Sequence, residues 1–528
     1  MFVQSFVNGS DWADEVTALN RMSKLTKNDI VTFANKYLKD DNYAVIYKRQ
    51  GKDPNEKKMT KPEITPIITN RDVASPFLVE VQESAVKPIE PVFLDYQKDM
   101  SQLKAKSDIP VLYKQNVAND LFQLIYVFDM GNNHDKALGT AFDYLEYLGT
   151  SDMTPEELKS EFYRLACTFY VSPGNERTYV VLSGLNENMP AAVQLFEKLL
   201  ADAQVNKEAY TNMTSDILKA RSDAKLNQGQ NFSRLMSFAM YGPKSPATNL
   251  LTEAELTNMN PQELVDRIHN QNCYKHRILY YGPSSSKDLL ATINQYHQVP
   301  ATLKDIPAGN EYAYLETPVT KVLVAPYDAK QIYMAQISNL DKKYDPAIEP
   351  IRALYDEYFG GGMNSIVFQE MRETRGLAYS AWASIMPPSY LKYPYVLRTQ
   401  IATQNDKMID AVTTFNDIIN NMPESEAAFK LAKDGLTNRL RTERIIKGDI
   451  IWSYINAQDL GQNVDPRIKL YNDIQNMSLK DIVDFQKQWV KGRTYVYCIL
   501  GDKKDLELDK LKAVGPIEEL TQEQIFGY

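Results

Sequence analysis

The chain has 528 residues, of which 44% are hydrophobic and 24% are charged, a composition that excludes a disordered or fibrous protein. Its length exceeds what one hydrophobic core supports and predicts about two to four domains. The formal net charge of -9 excludes the broad basic surface that a nucleic acid needs, so no nucleic-acid partner is expected.

The three cysteines lie far apart without C-x-x-C spacing, which argues against a disulfide framework and against a zinc knuckle. No apolar run reaches the length of about eighteen residues that a membrane-spanning helix needs. We therefore expect free thiols and no transmembrane segment.

From the N-terminus onward, one pattern of a helix start occurs three times, at residues 25–31, 259–265 and 477–483. Each places a polar residue at the predicted N-cap, with an acidic residue three positions later, as in a capping box: Thr26, Asn260 and Ser478. A β-rich run follows each pattern at the same spacing, at residues 43–47, 277–281 and 495–500. The sequence therefore predicts a unit of about 220 residues whose closing helix and strand occur three times.

This repeat divides the chain into four predicted segments. Residues 1–50 would be the terminal helix and strand of an incomplete upstream unit, the alternative being a natural accessory helix and strand. Residues 51–105 are rich in proline and predict an extended linker with one strand at 77–81. Residues 106–305 and 306–528 would be two complete, homologous units.

The two complete units also match internally. Glu146–Gly149 corresponds to Glu357–Gly360, and each glycine is predicted to end a helix in the left-handed conformation. Strands at 178–182 and 395–398 are followed by helices at 191–200 and 407–419 in the same order. The predicted fold class is α+β, with two homologous units of antiparallel sheet and helices packed on one face.

Residues 141–150 have the frame of an H-x-x-E-H zinc-protease helix, but both histidines are missing. Asp143 and Tyr147 occupy the histidine positions, and Glu146 stands at the glutamate position. Carboxylate and phenol do not replace two neutral imidazoles around zinc, so no metal is expected here. The four histidines show no pair at i, i+4 spacing and are predicted to be structural or solvent-facing: His134, His269, His276 and His297.

The repeat length, the order of strands and helices and this degenerate helix together resemble the pitrilysin/insulinase family of zinc metallopeptidases. The resemblance implies four α+β units in two halves that close around a peptide, with zinc in the first unit only. This chain is similar to the linker with the third and fourth units, preceded by the end of the second. By the resemblance Asp216 falls near the place of the distal glutamate ligand, and zinc would belong to an N-terminal half absent from this chain.

The last unit contains a closer match to this family, at residues 365–380. This segment is similar to the one by which the family's C-terminal half presents an arginine and, seven residues later, a tyrosine to the substrate; Arg372 and Tyr379 have that spacing. An arginine can donate to peptide carbonyls, and a phenol can stabilise developing negative charge on the scissile carbonyl. Arg375 is a rival donor, and the other unit has Phe162 and Phe169 at the matching positions.

The sequence thus predicts the noncatalytic C-terminal half of a zinc metalloendopeptidase, inactive alone, which binds peptides through Arg372 and Tyr379. Its expected partners are peptide substrates and the catalytic half, whether on the same polypeptide or as a separate subunit. The alternatives are a noncatalytic scaffold of the same fold and a peptide-binding protein that acts alone. A homodimer stays open, as does the compartment, with bacterial periplasm and cytoplasm both compatible with the sequence.

Overall fold

The computed structural model describes residues 1–41, 43–48, 51, 75–84, 87–329 and 331–528. The chain divides into two compact units, Met1–Val86 and Lys87–Tyr528. No helix in these described ranges is both long and apolar enough to cross a membrane.

The secondary structure described in the first unit is helical. Its helices are α1 (Phe2–Asn8), α2 (Trp12–Met22), α3 (Lys27–Tyr37) and α4 (Pro76–Glu83). The predicted capping box at the start of α3 is present, because Thr26 and Asp29 each accept a hydrogen bond from the other's backbone N–H. The predicted strand at 77–81 is wrong, since these residues lie in α4, and residues 43–48 form no strand. Residues 52–74 of the predicted linker fall outside the described residues.

The second unit contains two six-stranded sheets. The strands of the first sheet are β1 (Ser101–Lys104), β2 (Pro110–Gln115), β3 (Leu121–Phe128), β4 (Cys167–Pro173), β5 (Thr178–Leu185) and β6 (Arg277–Gly282), in the order β1-β2-β6-β3-β5-β4. The strands of the second sheet are β7 (Lys321–Pro326), β8 (Gln331–Lys343), β9 (Ser380–Met386), β10 (Pro394–Gln404), β11 (Val496–Gly501) and β12 (Ile517–Glu519), in the order β12-β7-β11-β8-β10-β9. Because β2-β6-β3-β5-β4 matches β7-β11-β8-β10-β9 element for element, the two sheets have the repeated topology that the sequence predicted.

The α+β fold class is confirmed. Neither sheet is purely antiparallel, because β2 pairs with β6, and β7 with β11 and β12, in parallel. The helices that belong to the same part of the sequence as the first sheet are α5 (Tyr96–Asp99), α6 (Leu138–Leu145), α7 (Pro155–Arg164), α8 (Met189–Asp202), α9 (Lys207–Lys225), α10 (Gln228–Tyr241), α11 (Glu253–Asn258), α12 (Gln262–Asn270) and α13 (Ser286–Tyr296). Those that belong to the same part of the sequence as the second sheet are α14 (Glu349–Phe359), α15 (Ile366–Phe368), α16 (Met408–Asn420), α17 (Glu426–Thr442), α18 (Asp449–Asp459), α19 (Pro466–Ile474), α20 (Leu479–Trp489), α21 (Leu508–Leu511) and α22 (Gln522–Phe526).

Each sheet buries both faces, and the second face is covered by a helix from the other half of the fold. Alternate residues of β3 illustrate this, since Tyr126 packs with the first sheet's own helices while Ile125 packs with α18. Helix α10 covers the corresponding face of the second sheet through its apolar residues: Phe232, Leu235, Met236 and Ala239. Full burial of one such aliphatic or aromatic side chain contributes about 1.5–3 kcal/mol, so this exchange of helices holds the two sheets together.

A nearly buried arginine reinforces this joint. Arg177, 11% exposed, donates through both terminal nitrogens to the carboxylate of Asp459 on α18, each at 2.6 Å. Its Nε donates to Asp129 at 2.6 Å. A lysine has one ammonium group and cannot reproduce this planar fork.

We expect Arg177→Lys to lower the free energy of unfolding by about 1–2 kcal/mol, because two of three charge-assisted hydrogen bonds are lost or lengthened. Urea titration followed by circular dichroism measures the change. The matched control is Arg277→Lys, since among the described residues Arg277 pairs with Asp129 alone, at 3.1 Å, and its loss should be smaller. Equal losses in the two variants would contradict the importance of the fork at Arg177.

Candidate functional site

The segment that carries Arg372 and Tyr379 lies at one edge of the second sheet. Arg372 is in a π-helical stretch, Gln369–Thr374, that continues from α15. Tyr379 stands directly before β9, the edge strand of this sheet. Between them Gly376 has φ 56°, a left-handed conformation that glycine adopts without strain. Such π-helical turns are rare and are often found at functional sites.

The spacing of seven residues brings the two predicted side chains together. The guanidinium carbon of Arg372 lies 5.1 Å from the centre of the Tyr379 ring and 4.9 Å from that of Phe368, which are cation–π distances. Tyr379 is 78% exposed, and its hydroxyl has no hydrogen-bond partner within the described part of the chain. Arg372 is partly exposed, with Nε 3.8 Å from the Glu373 carboxylate. The pair thus presents a cation and a phenolic hydroxyl at one place.

Arg375, the rival donor, is held in a different arrangement. Its guanidinium lies 3.5 Å from Glu370 and donates to the Thr414 hydroxyl at 3.3 Å. The structure therefore pairs Tyr379 with Arg372 rather than with Arg375.

In the other sheet the matching positions form an apolar contact. Phe162 on α7 and Phe169 on β4 have ring centres 4.9 Å apart, and Phe169 lies equally close to Phe196 on α8. Strand β4 is one of the two edge strands of its sheet, as β9 is of the second. The two sheets thus place different side chains at equivalent edges.

The degenerate metal-site positions do not form a ligand set for zinc. Asp143 is in α6, Glu146 is the residue that ends this helix, and Tyr147 follows it; all three are exposed. Partial desolvation and, next, the Glu146 charge raise the pKa of Asp143. Asp216, on α9, is exposed as well. Within the described ranges no group of three or more His, Cys, Asp or Glu side chains is placed to hold a metal ion.

The left-handed helix ends predicted at Gly149 and Gly360 are wrong. Neither residue has a positive φ, and Gly360 has φ -143°. Both positions instead need glycine because backbone approaches them closely. A Cβ at Gly149 would lie 2.3 Å from the Met153 carbonyl oxygen, and one at Gly360 would lie 2.2 Å from that of Ala383 on β9.

A buried polar cluster was not apparent from the sequence. His276 and His297 face each other through their Nε2 atoms at 2.8 Å, and Nδ1 of His297 lies 2.6 Å from the Glu197 carboxylate. Asn272 and the backbone N–H of Gln298 donate to the other oxygen of Glu197, both at 2.9 Å. Glu197, His276 and His297 satisfy one another's hydrogen bonds, whereas Asn272 Oδ1 is buried without a partner in the described part of the chain, and we interpret the cluster as structural. No local spacing could reveal it, because its members come from α8, from the turn after α12, from the residue before β6 and from the end of α13.

Comparison with known proteins gives a consistent picture. A family model described as the peptidase M16 inactive domain matches residues 279–436. The non-peptidase homolog YmxG of Helicobacter pylori is 23% identical over 422 residues, which cover 76% of this chain and 93% of YmxG.

Solved structures agree on the fold. The peptidase M16 inactive domain of Pseudomonas fluorescens has a TM-score of 0.60 and 15% identity, covering 76% of this chain and 98% of that one. The periplasmic protease PqqL of Escherichia coli has a TM-score of 0.61 and 12% identity, covering 92% of this chain and 52% of PqqL. The chain thus spans about half the length of PqqL.

Proposed function

We propose that this chain, which belongs to the M16 peptidase family and carries its inactive domain, is the noncatalytic half of a zinc metalloendopeptidase. In this proposal the linker lies within residues 51–105, the last of which join the first sheet as β1, and residues 106–305 and 306–528 are two noncatalytic units. They enclose a peptide and align it with zinc held by a catalytic half, on the same polypeptide or in a partner subunit. The match to about half of PqqL supports this division of labour.

The Arg372–Tyr379 pair is the observation that carries the proposal. Both side chains offer donors beside the start of β9, an edge strand of the second sheet. Arg372 would hold a peptide carbonyl or carboxylate, while the Tyr379 hydroxyl would donate to the scissile carbonyl oxygen as charge develops there. Zinc in the catalytic half would polarise that carbonyl and supply the activated water.

Tyr379→Phe tests the proposal. With the catalytic half present, we expect kcat for peptide cleavage to fall by about tenfold to a hundredfold while KM changes little, because the hydroxyl acts mainly in the transition state. The fold should be unaffected, because Tyr379 is exposed and phenylalanine keeps the ring that Arg372 contacts. Tyr296→Phe, on α13 in the part of the chain that forms the first sheet, is the control and should retain full turnover. An unchanged kcat in Tyr379→Phe would refute the role of the hydroxyl.

A scaffold without proteolysis is the second candidate, favoured by the similarity to YmxG, which is named a non-peptidase homolog. The two candidates predict different results when the catalytic half is supplied. The peptidase proposal requires zinc-dependent cleavage that is sensitive to Tyr379→Phe. The scaffold requires a stable complex of the two halves that leaves peptides intact.

A further inference from the structure

One side of the β4 backbone is unpaired. Strand β4 ends the first sheet and pairs only with β5, from Cys167 opposite Gly184 to Pro173 opposite Thr178. Across residues 168–172, no other described residue makes a hydrogen bond to this backbone. In an antiparallel pair the N–H and C=O groups of alternate residues point away from the partner strand. An extended peptide can pair with such groups as an added strand.

An apolar cavity opens beside this strand. Its volume is about 620 Å³, and we call it the edge pocket. Its apolar walls come from α6, the loop that follows, α7, β4 and α8: Leu145, Leu148, Leu158, Phe162, Phe169 and Leu199. Glu146, Lys159 and the 88% exposed Tyr163 stand among its polar and exposed lining residues. A cavity of this size and composition accommodates a large aliphatic or aromatic side chain.

An acidic cavity adjoins the edge pocket and shares Glu146 and Lys159 with it. It has a volume of about 250 Å³, and its charged lining is Glu146, Glu156, Glu208 and Lys159. Three carboxylates and one ammonium leave a net negative charge, and no ion pair within the described part of the chain neutralises any of these four groups. The charge is complementary to a lysine or arginine side chain.

We propose that β4 and the edge pocket bind an extended peptide segment in which a large apolar side chain lies two positions from a basic one. Residues two apart in a strand project from the same face, so one side chain can fill the edge pocket while the other reaches the acidic cavity. The β4 backbone supplies affinity for extended chain, and the two cavities supply selectivity. This site goes beyond the proposed function, because it requires neither zinc nor Arg372 and Tyr379.

The equivalent edge of the second sheet has different side chains, so the site beside β4 and the Arg372–Tyr379 pair would bind different groups. There Arg372 and Tyr379 occupy the positions that Phe162 and Phe169 hold beside β4. The first edge offers an apolar cavity and the second offers exposed polar donors. The two edges would thus select different parts of a peptide.

Fluorescence anisotropy on the isolated chain tests the site. The probes are labelled Thr-Thr-Leu-Thr-Arg-Thr-Thr and the version with Leu and Arg exchanged, so that both strand directions are sampled. We expect saturable binding of at least one probe. Replacing its Leu by Asp should weaken binding about tenfold or more, because the apolar burial is lost. Two methylated versions of the probe are compared, one with the odd-numbered and one with the even-numbered backbone nitrogens methylated. Only one of them should bind about fivefold more weakly, because only one set of N–H groups faces β4.

Glu146→Lys is the matching protein variant. Glu146 is exposed, so the fold should be kept, and the charge reversal should weaken the Arg-containing probe about fivefold. The control is Glu187→Lys, an exposed glutamate outside both cavities, which should bind like the parent chain. Absence of binding, equal binding by the Glu146 and Glu187 variants, or indifference to N-methylation would each overturn the proposal. Concentration-dependent dimerisation that competes with the probe would instead assign β4 to a second copy of this chain.

Discussion

Replacing Glu197 by alanine will lower the free energy of unfolding by about 3–5 kcal/mol, the cost of removing one partner from a buried charged cluster. Glu197 and His297 are 1% and 0% exposed, so water cannot replace the lost carboxylate. The change leaves donors unpaired on Asn272 and on the backbone of Gln298, and removes the partner of the His297 Nδ1 atom. Each unsatisfied buried donor costs about 1–3 kcal/mol, which supports a total of this size.

The hydrogen bonds of the cluster determine where its protons lie. Nδ1 of His276 is 2.7 Å from the carbonyl oxygen of Tyr274, so this nitrogen carries a proton. Its Nε2 must then accept from Nε2–H of His297. The 2.6 Å contact between Nδ1 of His297 and the Glu197 carboxyl group must contain one proton, carried by one of the two partners. A carboxyl group at residue 197 is therefore needed whether it is ionised or protonated. Alanine removes that group, whereas glutamine keeps one oxygen acceptor.

Urea titration followed by circular dichroism measures the loss in Glu197→Ala. Glu197→Gln should lose less, and Glu187→Ala, at an exposed glutamate, should change the free energy of unfolding by less than about 0.5 kcal/mol. A loss below about 1 kcal/mol in Glu197→Ala would mean that the cluster is not a structural unit.

The same cluster predicts a pH dependence. Burial, and next the neighbouring His297, lower the pKa of His276 to about 3. Below about pH 6.5, His276 of the unfolded chain therefore binds a proton, whereas His276 of the folded chain binds one only near pH 3. Stability from this group is complete above the unfolded pKa and falls with decreasing pH across that window, by up to about 1.4 kcal/mol per pH unit. His276→Gln should reduce this slope when unfolding is measured between pH 6.5 and 4.5.

Patterns that repeat along the sequence predicted the framework correctly. The capped helices at Lys27–Tyr37 and Leu479–Trp489 and the strands β6 and β11 lie where the periodicity placed them. Such patterns depend on neighbouring residues and can be read without knowledge of the fold. The short apolar run at 77–81 could not be assigned in this way, because a short helix and a short strand bury similar runs. It proved to be helical, in α4.

Features that depend on distant contacts could not be predicted. The apolar stripes of α10 and α18 indicate burial, but nothing in them specifies the sheet on the other half of the fold. In the candidate site, Arg372 and Tyr379 lie in contact, as do the matching phenylalanines, and the binding role of the pair stays a prediction. The edge pocket between α6, α7 and β4 emerges only when these elements pack. The reason for glycine at residue 360 likewise lies in a carbonyl of β9, whereas at residue 149 it lies in the carbonyl of the nearby Met153.

Replacing Gly360 by alanine will destabilise the second sheet by about 3 kcal/mol, at the upper end of the cost of overpacking. The added Cβ would lie 2.2 Å from the carbonyl oxygen and 2.6 Å from the nitrogen of Ala383, both backbone atoms of β9. A backbone strand cannot turn aside as a flexible side chain can, so α14 and β9 must separate. The separation also strains two bonds by which Asp356 of α14 accepts from β9, from Ile385 N and the Ser384 hydroxyl, both at 2.9 Å.

Gly435→Ala is the matched control for this prediction. Gly435 lies inside α17, and a Cβ there meets nothing within 4 Å. Alanine is the better helix former, so this variant should gain about 0.5–1 kcal/mol in urea titrations of the same protein. Opposite signs for the two glycines would confirm that close approach, rather than backbone conformation, requires glycine at residue 360. A neutral or stabilising Gly360→Ala would contradict it, and would mean that α14 and β9 can move apart without cost to the strand that begins directly after Tyr379.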